Sequence, residues 1–167
     1  IGGIVAAETL RKLLPPQDRV VVVERERNHV FAPSLLWHMT GENDAAAFTR
    51  PLSALKSKGI ELVTGDIRRI DPAALSVEVD GKTLIGDAMV VALGADYAPE
   101  AIPGLAESGH NLYTLAGAEE IRAALDSFKG GRIVVLTATP AYKCPAAPYE
   151  AAMLVDAYCK KRKFPQS

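Results

Sequence analysis

The residues best suited to chemistry lie together in KCPAAPYE, Lys143 to Glu150. Cys144 is the strong nucleophile of this stretch. An apolar run, Arg132–Leu136, precedes it, and an amphipathic segment, about Pro148–Arg162, follows it. Strand, tight loop and helix start is where a dinucleotide-binding βαβ unit keeps its glycine-rich phosphate cradle. Here the loop has no glycine and three prolines, Pro140, Pro145 and Pro148. Glycine lets backbone approach a pyrophosphate, whereas proline removes an amide donor. The loop therefore suits a thiol better than a phosphate, which points to redox chemistry and away from a nicotinamide site. A helix N-terminus and the adjacent Lys143 both favour thiolate, the nucleophilic form. The competing reading is a small thiol that fills a turn, and the residues alone leave both open.

The other reactive side chains carry less. Cys159 lies near the end of the same expected helix, roughly 20 Å from Cys144 at 1.5 Å per residue. A disulfide needs Cα atoms within about 7 Å, so the two are expected not to pair. Cys159 reads as a surface or packing thiol, and Glu150 as a first-turn carboxylate favoured by the helix dipole. His29, His38 and His110 show no metal-ligand spacing, so no metal site is expected.

A second constellation opens the chain. IGGIVAAETLRKLL has helical apolar spacing, and RVVVVE, Arg19–Glu24, reads as a buried parallel strand ending in a carboxylate. In a dinucleotide-binding unit a glycine fingerprint precedes such a helix, and an acidic residue ends the next strand. Gly2 and Gly3 match the end of that fingerprint. Glu24 falls at the distance expected for a ribose-binding carboxylate, with Arg25 beside it. The first strand of the unit would precede Ile1, so the chain is expected to be truncated there. Without that strand, the neighbouring strands lose the edge on which they pair.

The remaining elements position these two constellations. Pro33–Met39 reads as a short helix ended by Gly41, and Pro51–Lys58 as another ended by Gly59. Ile60–Gly65 is an expected strand. Leu75–Val79 and Lys82–Ile85 form a hairpin around Asp80-Gly81. Asp87–Leu93 is an expected buried return strand ending at Gly94, where a glycine permits close approach to a cofactor by Ala92 and Gly94. Tyr97–Gly104 reads as a linker and Ala116–Phe128 as an amphipathic helix. Trp37 is expected in the core.

The reading is therefore α/β: a Rossmann-like domain with a β-meander, residues 1–110, then the start of a second Rossmann-like domain, residues 111–167, cut after its first helix. The 167 residues are 49% hydrophobic and 23% charged, enough apolar material for a core. A net charge of −1 gives no basic surplus for nucleic acid, so no such partner is expected. No apolar run approaches the ~20 residues of a membrane span.

IGGIVAAETLRK, VVVVERE, FAPSLLWHMTG, VTGDIRRIDP, MVVALGADY, IPGL and above all RIVVLTATPAYKCPAAPYEAA resemble the sulfide:quinone oxidoreductase and flavocytochrome c sulfide dehydrogenase family, N-terminal portion. The resemblance implies an FAD-dependent enzyme in which a cysteine pair takes up sulfide. A persulfide forms, and electrons pass to FAD and then to a quinone, or to a cytochrome c subunit. It maps one redox cysteine onto Cys144, the partner lying downstream of this chain. It places Pro33, Ser34 and the backbone of Asp66 and Ile67 along the cofactor, together with Gly2, Gly3, Glu24, Arg25, Ala92 and Gly94.

Two departures matter. Ala32 stands where flavocytochrome-type enzymes carry a flavin-linked cysteine, so non-covalent FAD is expected and a quinone acceptor favoured. Tyr113, in NLYT, stands near where some quinone reductases carry a further cysteine. The resemblance also implies peripheral association with the prokaryotic cytoplasmic membrane, through parts outside this chain, on a side it does not specify. The alternatives are a flavocytochrome c-type sulfide dehydrogenase, an NAD(P)H-dependent disulfide or quinone reductase, and a non-catalytic fragment of such an enzyme. The fragment by itself is expected to be inactive.

Overall fold

A computed structural model describes residues 1–164. The last three residues of the expected second domain lie outside the described range. The helices are α1 (Gly2–Leu13), α2 (Leu35–Met39), α3 (Ala45–Phe48), α4 (Leu105–Ser108), α5 (Leu115–Ser127) and α6 (Ala147–Lys161). The strands are β1 (Val21–Glu24), β2 (Asn28–Val30), β3 (Thr49–Pro51), β4 (Glu61–Thr64), β5 (Ile67–Asp71), β6 (Ser76–Val79) and β7 (Lys82–Ile85). The chain packs as two units, Ile1–His29 with Thr49–Asp96, and Val30–Phe48 with Tyr97 onward.

In the first unit α1 leads through the turn at Pro15–Asp18 into β1. β1 pairs in parallel with β4, Val21 opposite Glu61 and Glu24 opposite Thr64. Ala7 of α1, Val20, Leu52, Leu55 and Ile60 form the core between them. A 3₁₀ helix, Leu52–Lys58, ends at Gly59, whose φ of 75° no other residue type adopts cheaply. The expected hairpin is present, extended by β5 into an antiparallel meander β5–β6–β7. Asp80 and Gly81, both at positive φ, make its turn.

The second unit is built on helices. Leu35, Leu36 and Met39 of α2, Phe48, Ala118 and Leu125 of α5, and Ala147, Ala151 and Val155 of α6 form its core. Thr114 caps α5, its Oγ1 accepting from the Gly117 amide at 3.1 Å. A 3₁₀ turn, Ala32–Ser34, leads into α2.

Four expectations need correction. Asp87–Leu93 and Arg132–Leu136 are extended segments, not strands, and among the described residues no ladder takes them up. Val90 stays 63% exposed and Val134 71%, so the apolar run is there but the burial is not. A strand needs a hydrogen-bonded neighbour, and among the described residues neither segment has one. β1 is likewise only half-buried along much of its length. Trp37, at 38% exposed, is not core: α2 turns Leu35, Leu36, His38 and Met39 inward and leaves the indole outside.

Candidate functional site

In the first unit the structure brings Gly2, Gly3 and Ala92 together. A Cβ built on Gly2 would lie 3.6 Å from the Ala92 Cβ, and one on Gly3 3.8 Å. A longer side chain at either position would run into the 87–93 segment. The first turn of α1 carries no acidic residue, so its free amides face no competing carboxylate. Glu24 ends β1, and its Oε1 accepts from the Glu26 amide at 3.1 Å. Its carbonyl accepts from the Gly65 amide at 3.2 Å. Arg25 is exposed and lies 3.6 Å from Glu26 and 3.7 Å from Asp96. Gly94 has φ 77°, with nothing within 4 Å of a built Cβ. Ile67 opens β5 and pairs opposite Val79. A helix N-terminus free of acid, two glycines at its first turn and a carboxylate at the end of the next strand suit an anionic dinucleotide with a ribose. His29 is held below its ordinary value by burial first, against the opposing pull of Glu24.

Sequence reasoning missed Gly65. A Cβ there would meet Asp80 Oδ2 at 2.3 Å and Val79 Cγ1 at 2.7 Å. Only glycine lets the chain pass from β4 to β5 against the meander turn.

Pro33, Ser34 and Cys144 belong to the second unit. Pro33 is exposed and Ser34 half-buried, in the 3₁₀ turn whose Ser34 amide donates to the Phe31 carbonyl at 3.0 Å. Cys144 is exposed and not disulfide-bonded, and Cys159 is likewise unpaired. Cys144 has φ 54°, a left-handed backbone that costs a residue with a Cβ about 1–2 kcal/mol. Two ties flank it. The Ala147 amide, at the start of α6, donates to the Cys144 carbonyl at 3.0 Å. The Tyr113 hydroxyl donates to the Lys143 carbonyl at 2.5 Å.

Tyr113 stacks on Tyr97, with ring centroids 6.1 Å apart and planes at 17°. The Lys143 ammonium sits 5.6 Å from the centre of the Tyr97 ring and donates to its hydroxyl at 3.2 Å. The lysine charge is thus engaged by Tyr97. Burial first, then the neighbouring Cys144, push the Tyr113 phenol above its ordinary value, so it keeps its proton and donates. Tyr97 lies 46 residues from Lys143 and Tyr113 lies 30. No local pattern announces such pairings.

The histidines do other work. His38 is buried, its Nδ1 2.8 Å from the Asn43 carbonyl and its ring edge-on to Phe48. His110 Nδ1 lies 3.1 Å from Glu120. Among the described residues no cluster of His, Cys, Asp or Glu could hold a metal.

The family model described as pyridine nucleotide-disulphide oxidoreductase matches residues 1–138. The chain belongs to this family. A second model, sulfide dehydrogenase [flavocytochrome c] flavoprotein chain, central, matches residues 118–167, the stretch that contains Cys144. This family member is 25% identical to the mitochondrial sulfide:quinone oxidoreductase of Mus musculus, over 96% of the chain and 37% of the relative. It matches the crystal structure of the sulfide:quinone oxidoreductase from the hyperthermophilic bacterium Aquifex aeolicus with a TM-score of 0.82. The identity there is 25%, over 96% of this chain and 38% of that one. The chain therefore spans a little over a third of the relatives it matches. The resemblance to the N-terminal portion of the sulfide:quinone oxidoreductase and flavocytochrome c sulfide dehydrogenase group holds, and so does the Rossmann-type α/β class. No helix among the described residues is long and apolar enough to cross a membrane.

Proposed function

We propose that this chain is the FAD-binding and thiol-bearing part of an oxidoreductase that oxidises sulfide and passes the electrons to a quinone. Cys144 carries the reading. It is exposed, it is held at φ 54° in a glycine-free loop, and it lies within the stretch matched by the sulfide dehydrogenase model. A nucleophilic sulfur in a strained, over-determined backbone is a recurring mark of a reactive site.

In the proposed reaction Cys144 forms a disulfide with a second cysteine of the whole enzyme. Hydrosulfide attacks one sulfur, the disulfide bond breaks, a persulfide forms on the attacked cysteine, and the other leaves as thiolate with the electron pair. Bound FAD, non-covalent because Ala32 offers no thiol, would accept two electrons as that thiolate and the persulfide sulfur bond to each other. The first-turn amides of α1, with Gly2 and Gly3, would receive its phosphates, and Glu24 its ribose. Arg25, Pro33, Ser34, Ile67, Ala92 and Gly94 complete the proposed cofactor contacts.

The proline-rich second loop supports a thiol role over nicotinamide binding. Tight, saturable reduction by NADH would overturn that part. Peripheral membrane attachment, and the division into 1–110 and 111–167 as domains of the whole enzyme, are proposed with it.

The test is sulfide-dependent reduction of a quinone analogue by the full-length protein, wild type against Cys144→Ala. Turnover is expected to disappear in the variant, and unchanged turnover rejects the reading. A flavocytochrome-type enzyme would instead reduce a cytochrome c and leave the quinone untouched.

A further inference from the structure

We propose that Tyr113 is a positioning residue for Cys144. By holding the Lys143 carbonyl, its hydroxyl keeps the Cys144 backbone in the left-handed conformation that presents the thiol. The proposal rests on the sulfide reading above and adds to it a residue that does not touch the reacting sulfur.

The argument starts from cost. A non-glycine residue in the left-handed region persists only where its surroundings over-determine it. Cys144 is exposed, so core packing does not hold it. The polar ties on either side are the Ala147 amide on its own carbonyl and the Tyr113 hydroxyl on the carbonyl before it. The first is the opening turn of α6 and forms only while the Cys144 carbonyl is held toward that helix. The second comes from 30 residues away and fixes the peptide plane between Lys143 and Cys144.

Tyr113 is itself anchored from two sides. Its amide donates to Asn111 Oδ1 at 2.9 Å, and its ring stacks on Tyr97. A phenol held this way is a fixed post rather than a swinging side chain. Burial first, then the nearby Cys144, raise its pKa, so it stays protonated and donating. Tyr97 in turn receives the Lys143 ammonium at its hydroxyl. Main chain and side chain of Lys143 are thus both held by one tyrosine pair. The carbonyl contact is the one that acts on the Cys144 backbone.

The experiment uses the full-length protein with Tyr113→Phe, Lys143→Met and Cys144→Ala, read by amide hydrogen exchange and by sulfide–quinone turnover. Tyr113→Phe keeps the ring stack and removes only the O–H donor. The Ala147 amide is expected to exchange at least about 5-fold faster and turnover to fall about 5-fold, the equivalent of one hydrogen bond. α6 amides from Ala151 onward should not change. Lys143→Met, which keeps the carbonyl, should leave the Ala147 exchange within about two-fold of wild type, below the loss of one bond.

Unchanged exchange in Tyr113→Phe overturns the proposal. So does uniformly faster exchange along α6, which would make Tyr113 a general packing residue. So does Lys143→Met reproducing the effect, which would move it from the carbonyl to the ammonium. Full turnover in Cys144→Ala rejects the sulfide reading and this proposal with it. An inactive Cys144→Ala beside an unaffected Tyr113→Phe rejects the proposal alone.

Discussion

Replacing Gly117 with alanine sets two effects of opposite sign against each other. Gly117 lies in the first turn of α5, and alanine there is favoured by helix propensity, by about 1 kcal/mol. The built Cβ, however, falls 2.0 Å from the Asn111 carbonyl oxygen, 2.7 Å from its carbon and 2.9 Å from its nitrogen. These are backbone atoms, so no side-chain rotation relieves the clash, and overpacking of this kind costs about 1–3 kcal/mol. Moving Asn111 also pulls on Thr114, whose cap on the Gly117 amide is worth about 1 kcal/mol. The clash and the lost cap exceed the propensity gain, for a net loss of about 1–3 kcal/mol. Local opening of α5 measured by hydrogen exchange should speed by about 30-fold for a loss of about 2 kcal/mol. Because the displaced segment carries Tyr113, exchange at Ala147 should rise too. Slower exchange in α5 with a higher melting temperature would refute the reasoning, since propensity would then have won.

Gly65→Ala should destabilise the first unit by about 1–3 kcal/mol, because the Val79 side chain it would meet is buried; urea unfolding checks this. Leu35→Ala, at 2% exposed, should cost about 2–5 kcal/mol in the second unit by cavity formation, read by the loss of α2 and α6 amide protection. Glu24→Gln should weaken FAD retention by about ten-fold or more, the loss expected for a charge-assisted bond to a ribose hydroxyl, measured by fluorescence titration of released flavin. His29 has a folded pKa below its ordinary 6.5, chiefly from burial. Its contribution to stability is therefore full above that value and lost as pH falls through the lowered one. His29→Gln should flatten this part of the acid limb in a melting-temperature profile.

Much of the candidate site could be read from the chain because its signals are local. Gly2, Gly3 and Glu24 announce themselves by spacing, and α1 and β1 lie where the apolar period puts them. Asp80-Gly81 specified its turn for the same reason, since both residues tolerate the positive φ that a tight hairpin demands. Gly59 closed its helix through bonds to residues a few positions away. Cys144 was legible as a thiol in a loop before a helix, but its left-handed backbone was not.

The sequence by itself determined what depends on near neighbours: which segments are helical, where the hairpin turns, and that the second loop carries a thiol and no glycine. The tertiary structure decided what depends on distant ones. Asp87–Leu93 and Arg132–Leu136 have strand composition, but composition cannot supply the hydrogen-bonding neighbour that makes a strand. Trp37 has the hydrophobicity of a core residue, but the facing of α2 chose Leu36 and Met39 instead. Nothing in KCPAAPYE names the tyrosine that holds it, because a hydroxyl reaching a carbonyl 30 residues away exists only once the chain has folded.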